Sequence, residues 1–244
     1  MTIQEMHYDL KLRLDKLDSL NYDNILEPER DIYLNRAQIT LIKQRYGLNN
    51  LYNAGFEQSQ KRVEDLKMLL VKSCNNTTLC ESPLIPSYTD NIKGIYTYNL
   101  NNLTKGKYLI FSSAYIKAFK KGCEIDITPS FSEHDDLYGS LINPKYKPSF
   151  EWMYLPIVFS ENYIYAYTNN EFQIGEMFLD YLRYPREMHY GNYSDENGTL
   201  IPEASCELPD FLHYEILDLA EVYIKKDIES PTTELSYQNL QSNE

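Results

Sequence analysis

The run with the most obvious chemical potential is Glu133-His134-Asp135-Asp136. Adjacent His and Asp side chains can hold a divalent metal for phosphoester hydrolysis, but such centres draw further His and Asp ligands from packed helices. This run lies in a turn-like stretch between strand candidates, and His7, His189 and His213 belong to other elements. The expectation is therefore a solvated loop. A hydrolase built on His134 and Asp135 is the remaining enzymatic reading, which bound metal would reveal. Cys74, Cys80, Cys123 and Cys206 contain no C-x-x-C pair and read as cytosolic thiols. H-E-x-x-H, Walker A, G-x-G-x-x-G and G-x-S-x-G segments are all absent from the sequence. No catalytic residue, cofactor or metal ligand is expected.

Aromatic surface is the second candidate. Trp152, Tyr154, Tyr163, Tyr165 and Tyr167 carry enough ring area to stack on a sugar. The last three alternate along one strand and so share a face. Packing in a core or between subunits is the first reading of that face, and a glycan platform the second.

Three amphipathic helices are predicted in the first 73 residues. Thr2 and Glu5 make a capping-box pattern ahead of Ile3, Met6, Leu10, Leu14 and Leu17. Pro28 opens the second helix, whose stripe runs through Ile32, Ile39 and Ile42 to a stop at Gly47. The third begins near Ala54 and carries Phe56, Val63, Leu66 and Leu70. From about residue 92 the period changes to two. Strands are predicted at 108–111, 115–119, 124–128, 157–159, 163–167 and 174–182, and 191–203 reads as a long loop. Helix returns after Asp210 as a candidate N-cap, along Leu212, Ile216, Leu219, Ala220, Tyr223 and Ile228. The fold class is α+β: three N-terminal helices and the C-terminal helix form a bundle, with a small antiparallel sheet or sandwich inserted. The divisions are 1–90, a helical part; 91–190, the β-rich insertion; 191–230, loop and returning helix; and 231–244, an extended assembly tail anchored by Leu235, Tyr237 and Leu240.

The chain has 23 Lys+Arg against 36 Asp+Glu, a net charge of −13, which excludes a uniformly basic nucleic-acid binder. The excess is local. Residues 1–80 hold 11 basic and 11 acidic side chains, 81–149 hold 8 and 7, and 150–244 hold 4 and 18. An acidic last third suits a solvated surface, a basic partner or a wall that repels DNA. No apolar run approaches the roughly 18 residues that span a bilayer. The opening MTIQEMHYDL has neither a basic nor an apolar leader pattern, so synthesis and residence in a cytosol are expected. Tyr is abundant, 23 residues, and AT-rich codons account for part of that excess.

Several stretches together carry a resemblance: ERDIYLNRAQ at 29–38, GFEQSQKRVEDL at 55–66, NPKYKP at 143–148, FLDYLRYP at 178–185 and HYEILDLA at 213–220. In this order they resemble the virion structural proteins of crAss-like tailed phages, and are most similar to the ring or stabilization proteins stacked below the portal. Tyr146 stands where the family pattern often has Phe. The resemblance implies a non-enzymatic part of the head-to-tail connector, made in the host bacterial cytoplasm and resident in the virion. Its implied partners are copies of itself in a ring, a dodecamer on a twelve-fold portal, together with the portal, other connector or tail proteins and, by proximity, genomic DNA. No membrane is implied. The bundle would form the ring body, with the β region projecting and 231–244 ordering on a neighbour or the portal. A tail-associated module touching a glycan or fibre protein through Tyr163, Tyr165 and Tyr167 is the alternative.

Overall fold

The computed structural model describes residues 1–14, 25–47, 60–74, 80–191, 193–194 and 198–228. Its helices are α1 (Ile3–Leu14), α2 (Glu27–Tyr46), α3 (Gln60–Leu66), α4 (His134–Ile142) and α5 (His213–Asp227). Its strands are β1 (Leu70–Val71), β2 (Tyr88–Asp90), β3 (Ile95–Asn99), β4 (Tyr108–Lys120), β5 (Cys123–Ile127), β6 (Ser130–Phe131), β7 (Pro156–Ser160), β8 (Tyr163–Tyr167) and β9 (Gln173–Arg183). The fold is α+β, in two compact units: Met1–Leu69 with Pro185–Glu244, and Leu70–Tyr184.

In the helical unit, α5 packs on α1 and α2, and α3 meets α2. The capping box of α1 forms as its residues predict: the Thr2 N–H donates to the Glu5 carboxylate at 2.9 Å, and the Glu5 N–H to the Thr2 hydroxyl at 3.2 Å. Pro28 occupies the first turn of α2, where a missing N–H costs nothing. The helix stops at Gly47, whose N–H bonds the Lys43 carbonyl at 2.9 Å with φ at −72°, so the stop does not use glycine's left-handed freedom. The buried stripe of α2 differs from the predicted one. Ile32 is exposed, and the inward face is Leu34, Ala37, Leu41 and Ile42 together with Asp31, Gln38 and Arg45. Polar residues can line a buried face when each finds a partner there. Arg45 meets Asp65 at 3.2 Å and also pairs with Glu215, linking α2 to α3 and α5. Asp31 collects His7 and the returning segment near Tyr190.

Other helical expectations need correction. Leu70 is not on the third helix but in β1, paired with Leu182 of β9. Asp210 does not cap α5: it opens a 3-10 turn ahead of that helix, and its carboxylate pairs with the Met1 amino group at 3.0 Å. Leu17, Ala54 and Phe56 lie outside the described residues.

His213, at the start of α5, is buried with Nε2 at 3.0 Å from the Leu208 carbonyl. Burial lowers its pKa below the ordinary 6.5, outweighing the carbonyl contact that favours the cation. The unfolded chain therefore takes up this proton first as pH falls below about 6.5, and stability declines until the folded-state pKa is passed. Replacing His213 by Gln removes that component. Melting curves at pH 7.5 and 5.5 should show wild type losing more stability on acidification than the variant; equal losses would refute the assignment.

The second unit holds two sheets around one core. The first, ordered β1-β9-β4-β5, is antiparallel throughout, and its 108–111 and 115–119 segments form one strand, β4, interrupted by bulges. The second is ordered β2-β3-β8-β7-β6, and β6 runs parallel to β7, a departure from the expected antiparallel pairing. Inward residues from both sheets interdigitate: Ile116, Met177, Leu179 and Tyr181 from one, Tyr98, Ile157 and Ile164 from the other. Tyr98 joins them directly, its hydroxyl donating to the Gly175 carbonyl at 2.6 Å. Gly94 turns β2 into β3 at φ +63, and a Cβ there would sit 2.3 Å from the Asn170 backbone nitrogen, so only glycine fits.

The cysteines and the acidic run are corrected as well. Cys74 and Cys80 are joined as a disulfide, with Cα atoms 5.6 Å apart. Strand-like pairing of Ser73 with Glu81 brings their neighbours to that separation, a tertiary effect that spacing alone does not signal. Glu133-His134-Asp135-Asp136 is not a loop but the N-terminus of α4, where acidic side chains complement the helix dipole.

Candidate assembly surface

The predicted tyrosine face exists. Along β8, Ile164 and Ala166 enter the core, so the two-residue period turns Tyr163, Tyr165 and Tyr167 to the opposite side of the sheet. Antiparallel pairing sets Tyr163 beside Asn99, Tyr165 beside Thr97 and Tyr167 beside Ile95. On the far side of β3, Tyr88 stands beside Thr97 and Asp90 beside Ile95. The result is an open groove of about 540 Å3 across β2, β3 and β8. Its rings are half-exposed; Tyr163 and Tyr165 lie 6.4 Å apart. Burial, with neighbouring Tyr138 and Tyr165, raises the pKa of Tyr167. The groove thus offers ring faces and hydroxyls, with Asp90 at one end. The other predicted contact residues, Leu235, Tyr237 and Leu240, lie outside the described residues.

Enzymatic readings gain nothing from the geometry. The ring of His134 lies 3.0 Å from the Phe159 carbonyl, which ties α4 to β7. Among the described residues, no three His, Cys, Asp or Glu side chains gather as a metal site. Burial pushes the Cys206 thiol up to about 11, away from the thiolate that reacts.

The matching family model is that of phage tail ring protein 3/4, and it spans residues 1–233. The chain belongs to this crAss-like phage tail ring family. No curated protein matches it. Membership makes the chain a structural component of the phage tail and of the virion, and the surfaces of a ring protein are its functional sites. No helix among the described residues is long and apolar enough to cross a membrane.

Two surface features of this ring protein bear on assembly. Much of the acidic excess on α5 is paired rather than free: Glu215 pairs with Arg45, Asp218 with Arg13, Glu221 with Lys225, and Asp227 accepts the Tyr33 hydroxyl at 3.0 Å. Glu187 and Glu203 remain exposed beyond those pairs. The second feature is apolar. Leu137 and Leu141 of α4 turn inward, while Tyr138 and Ile142, also one turn apart, are 69% and 82% exposed. The segment that follows exposes Tyr146, Trp152 and Met153. Sequence reasoning named Trp152 only as a sugar-stacking aromatic, because its exposure depends on a turn geometry that residue types do not announce.

Proposed function

We propose that this ring protein is a non-enzymatic part of the head-to-tail connector, closing as a dodecamer below the portal and joining it to the tail. Other connector or tail proteins contact its free faces, and genomic DNA passes through its bore during packaging and ejection. The observation that carries this reading is the family match across residues 1–233. A closed ring needs two different complementary surfaces on every copy. The tyrosine face of β8 and the 231–244 tail, through Leu235, Tyr237 and Leu240, supply contact material. The exposed carboxylates of Glu187 and Glu203, turned to the bore, would repel phosphates and let the duplex slide.

Imaging of intact particles tests the proposal. The expected result is a twelve-membered ring of this chain beneath the portal, around DNA, with the C-terminal tail ordered against a neighbour. Glu187 and Glu203 facing outward would remove the electrostatic element. The tyrosine-lined groove also favours a second reading, a module that binds a glycan or a fibre protein. In that case the chain would sit distally, without portal contact.

A further inference from the structure

The only tryptophan of the chain, Trp152, is 85% exposed. Tryptophan is highly buried on average, and here the exposed indole adjoins the exposed Met153 in sequence. The loop that carries it is fastened. Ser149 and Tyr154 pair as a two-residue antiparallel bridge with both backbone bonds at 2.9 Å, and the Trp152 N–H donates to the Ser149 hydroxyl at 3.3 Å. Glu151 pairs with Lys120 of β4 at 2.8 Å, and Phe150 packs on Phe172 with ring centroids 6.0 Å apart. The adjacent Met153 takes φ +51, an uncommon backbone state for a residue of this type. A non-glycine residue held there with its side chain 55% exposed is a local cost that core packing does not explain. The loop is therefore a preformed knob: an indole and a thioether presented on a turn fixed from both sides.

The same unit contains a receptor of matching chemistry. The groove over β2, β3 and β8 has about 540 Å3, within the range of roughly 300–1,000 Å3 that holds compact ligands. Its tyrosine rings can stack on an indole. At one end lies Asp90, whose Oδ1 accepts the Ile92 and Lys93 N–H groups at 2.9 and 3.2 Å; its second oxygen is an acceptor for an indole N–H that has no hydrogen bond among the described residues. Lys145, exposed on the segment leading to the knob, gives that carboxylate a cationic counterpart. No residue of 149–154 lines the groove, so the knob does not fill its own chain's groove.

We infer that the Trp152–Met153 knob of one copy seats in the tyrosine groove of the next, and that this contact propagates the ring. The inference rests on the ring reading above. A knob and a groove at different places on one compact unit make a heterologous contact, the type that generates a ring when its rotation closes. Rigidity of both parts favours the contact, because little side-chain or loop freedom is lost on docking.

Trp152 is the sole indole, so the unmodified protein reports on itself. On assembly, its fluorescence should shift to the blue and its acrylamide quenching should fall. Trp152→Ala, at an exposed site, should leave the monomer folded by circular dichroism and weaken self-association by roughly 30-fold or more. A second readout is independent of affinity. In particles carrying Cys123→Ser, mixed Lys145→Cys and Tyr88→Cys copies, both of which keep the indole, should cross-link to each other, and Lys145→Cys copies should not cross-link among themselves. Assembled wild type with a fully quenchable indole, or normal assembly of Trp152→Ala, overturns the inference and leaves the ring reading standing. Absence of the wild-type chain from particles would instead defeat the ring reading.

Discussion

Replacing Asp31 by alanine should destabilise the helical unit by about 3–5 kcal/mol, since one buried and two half-buried donors lose their acceptor and each stranded donor costs about 1–3 kcal/mol. Asp31 is 2% exposed on α2. Its carboxylate lies 2.7 Å from Nε2 of His7 on α1, accepts the Tyr190 N–H at 2.9 Å and accepts the Tyr193 hydroxyl at 2.6 Å. One side chain thus ties two helices to the segment that returns from the β unit. The Tyr193 phenol is itself raised in pKa, first by burial and then by this carboxylate, as expected for a proton held between two oxygens. Asp31→Asn should be nearly as damaging as alanine: an amide keeps one acceptor oxygen but turns an NH2 group toward donors. Tyr193→Phe removes this contact and a longer one to Nδ1 of His189 at 3.3 Å, leaves the other two bonds to Asp31, and should cost only about 1 kcal/mol. Chemical denaturation of the three variants checks the order, and a near-neutral Asp31→Ala would show that the network does not hold the unit.

That network was illegible in the sequence for a physical reason. The stripe predicted for α2 followed isoleucines, and hydrophobic periodicity discounts an aspartate. The aspartate is nonetheless buried because donors more than 150 positions away in the chain converge on it. Arg45 and Gln38 were hidden in the same way. Features set within a few residues were legible: the Thr2–Glu5 cap, the Gly47 stop, and the alternation of β8 that turns three tyrosines to one face. The 134–142 helix was missed because it is short and begins with acidic residues that resemble a turn, while its apolar positions point both ways. The Cys74–Cys80 bond escaped because spacing carries no record of the strand-like pairing that brings the two together. The net charge of the last third is legible in the sequence, but the matching of several α5 carboxylates by arginine and lysine within the helical unit is not. Net charge describes a field at a distance, and these pairs cancel at contact range.

Glu81→Ala should have the corresponding effect in the β unit, a loss of about 3 kcal/mol or more from stranded backbone donors. Glu81 is 1% exposed, and its carboxylate accepts the Thr104 N–H at 2.9 Å, the Thr104 hydroxyl at 2.8 Å and the Lys105 N–H at 2.7 Å. Its backbone is engaged too: its N–H donates to the Lys72 carbonyl at 2.9 Å, and its carbonyl accepts the Cys74 N–H at 3.0 Å. The residue therefore fixes the turn that leads into β4 against the segment that follows β1. The disulfide next to it cannot substitute, since a link between Cys74 and Cys80 supplies no acceptor for Thr104 or Lys105. Thr104→Val deletes one hydroxyl contact, leaves both backbone bonds and should cost only about 1 kcal/mol. Hydrogen exchange separates this local role from general loosening. In Glu81→Ala the amides of Thr104 and Lys105 should lose protection first, while those of the β4–β9 ladder around Ile116 and Met177 keep theirs. Uniform loss across the unit would mean that Glu81 supports the core as a whole rather than this one junction. Because the knob at Trp152 is fastened through Lys120 and Phe172 and not through Glu81, tryptophan emission of the folded variant should match wild type.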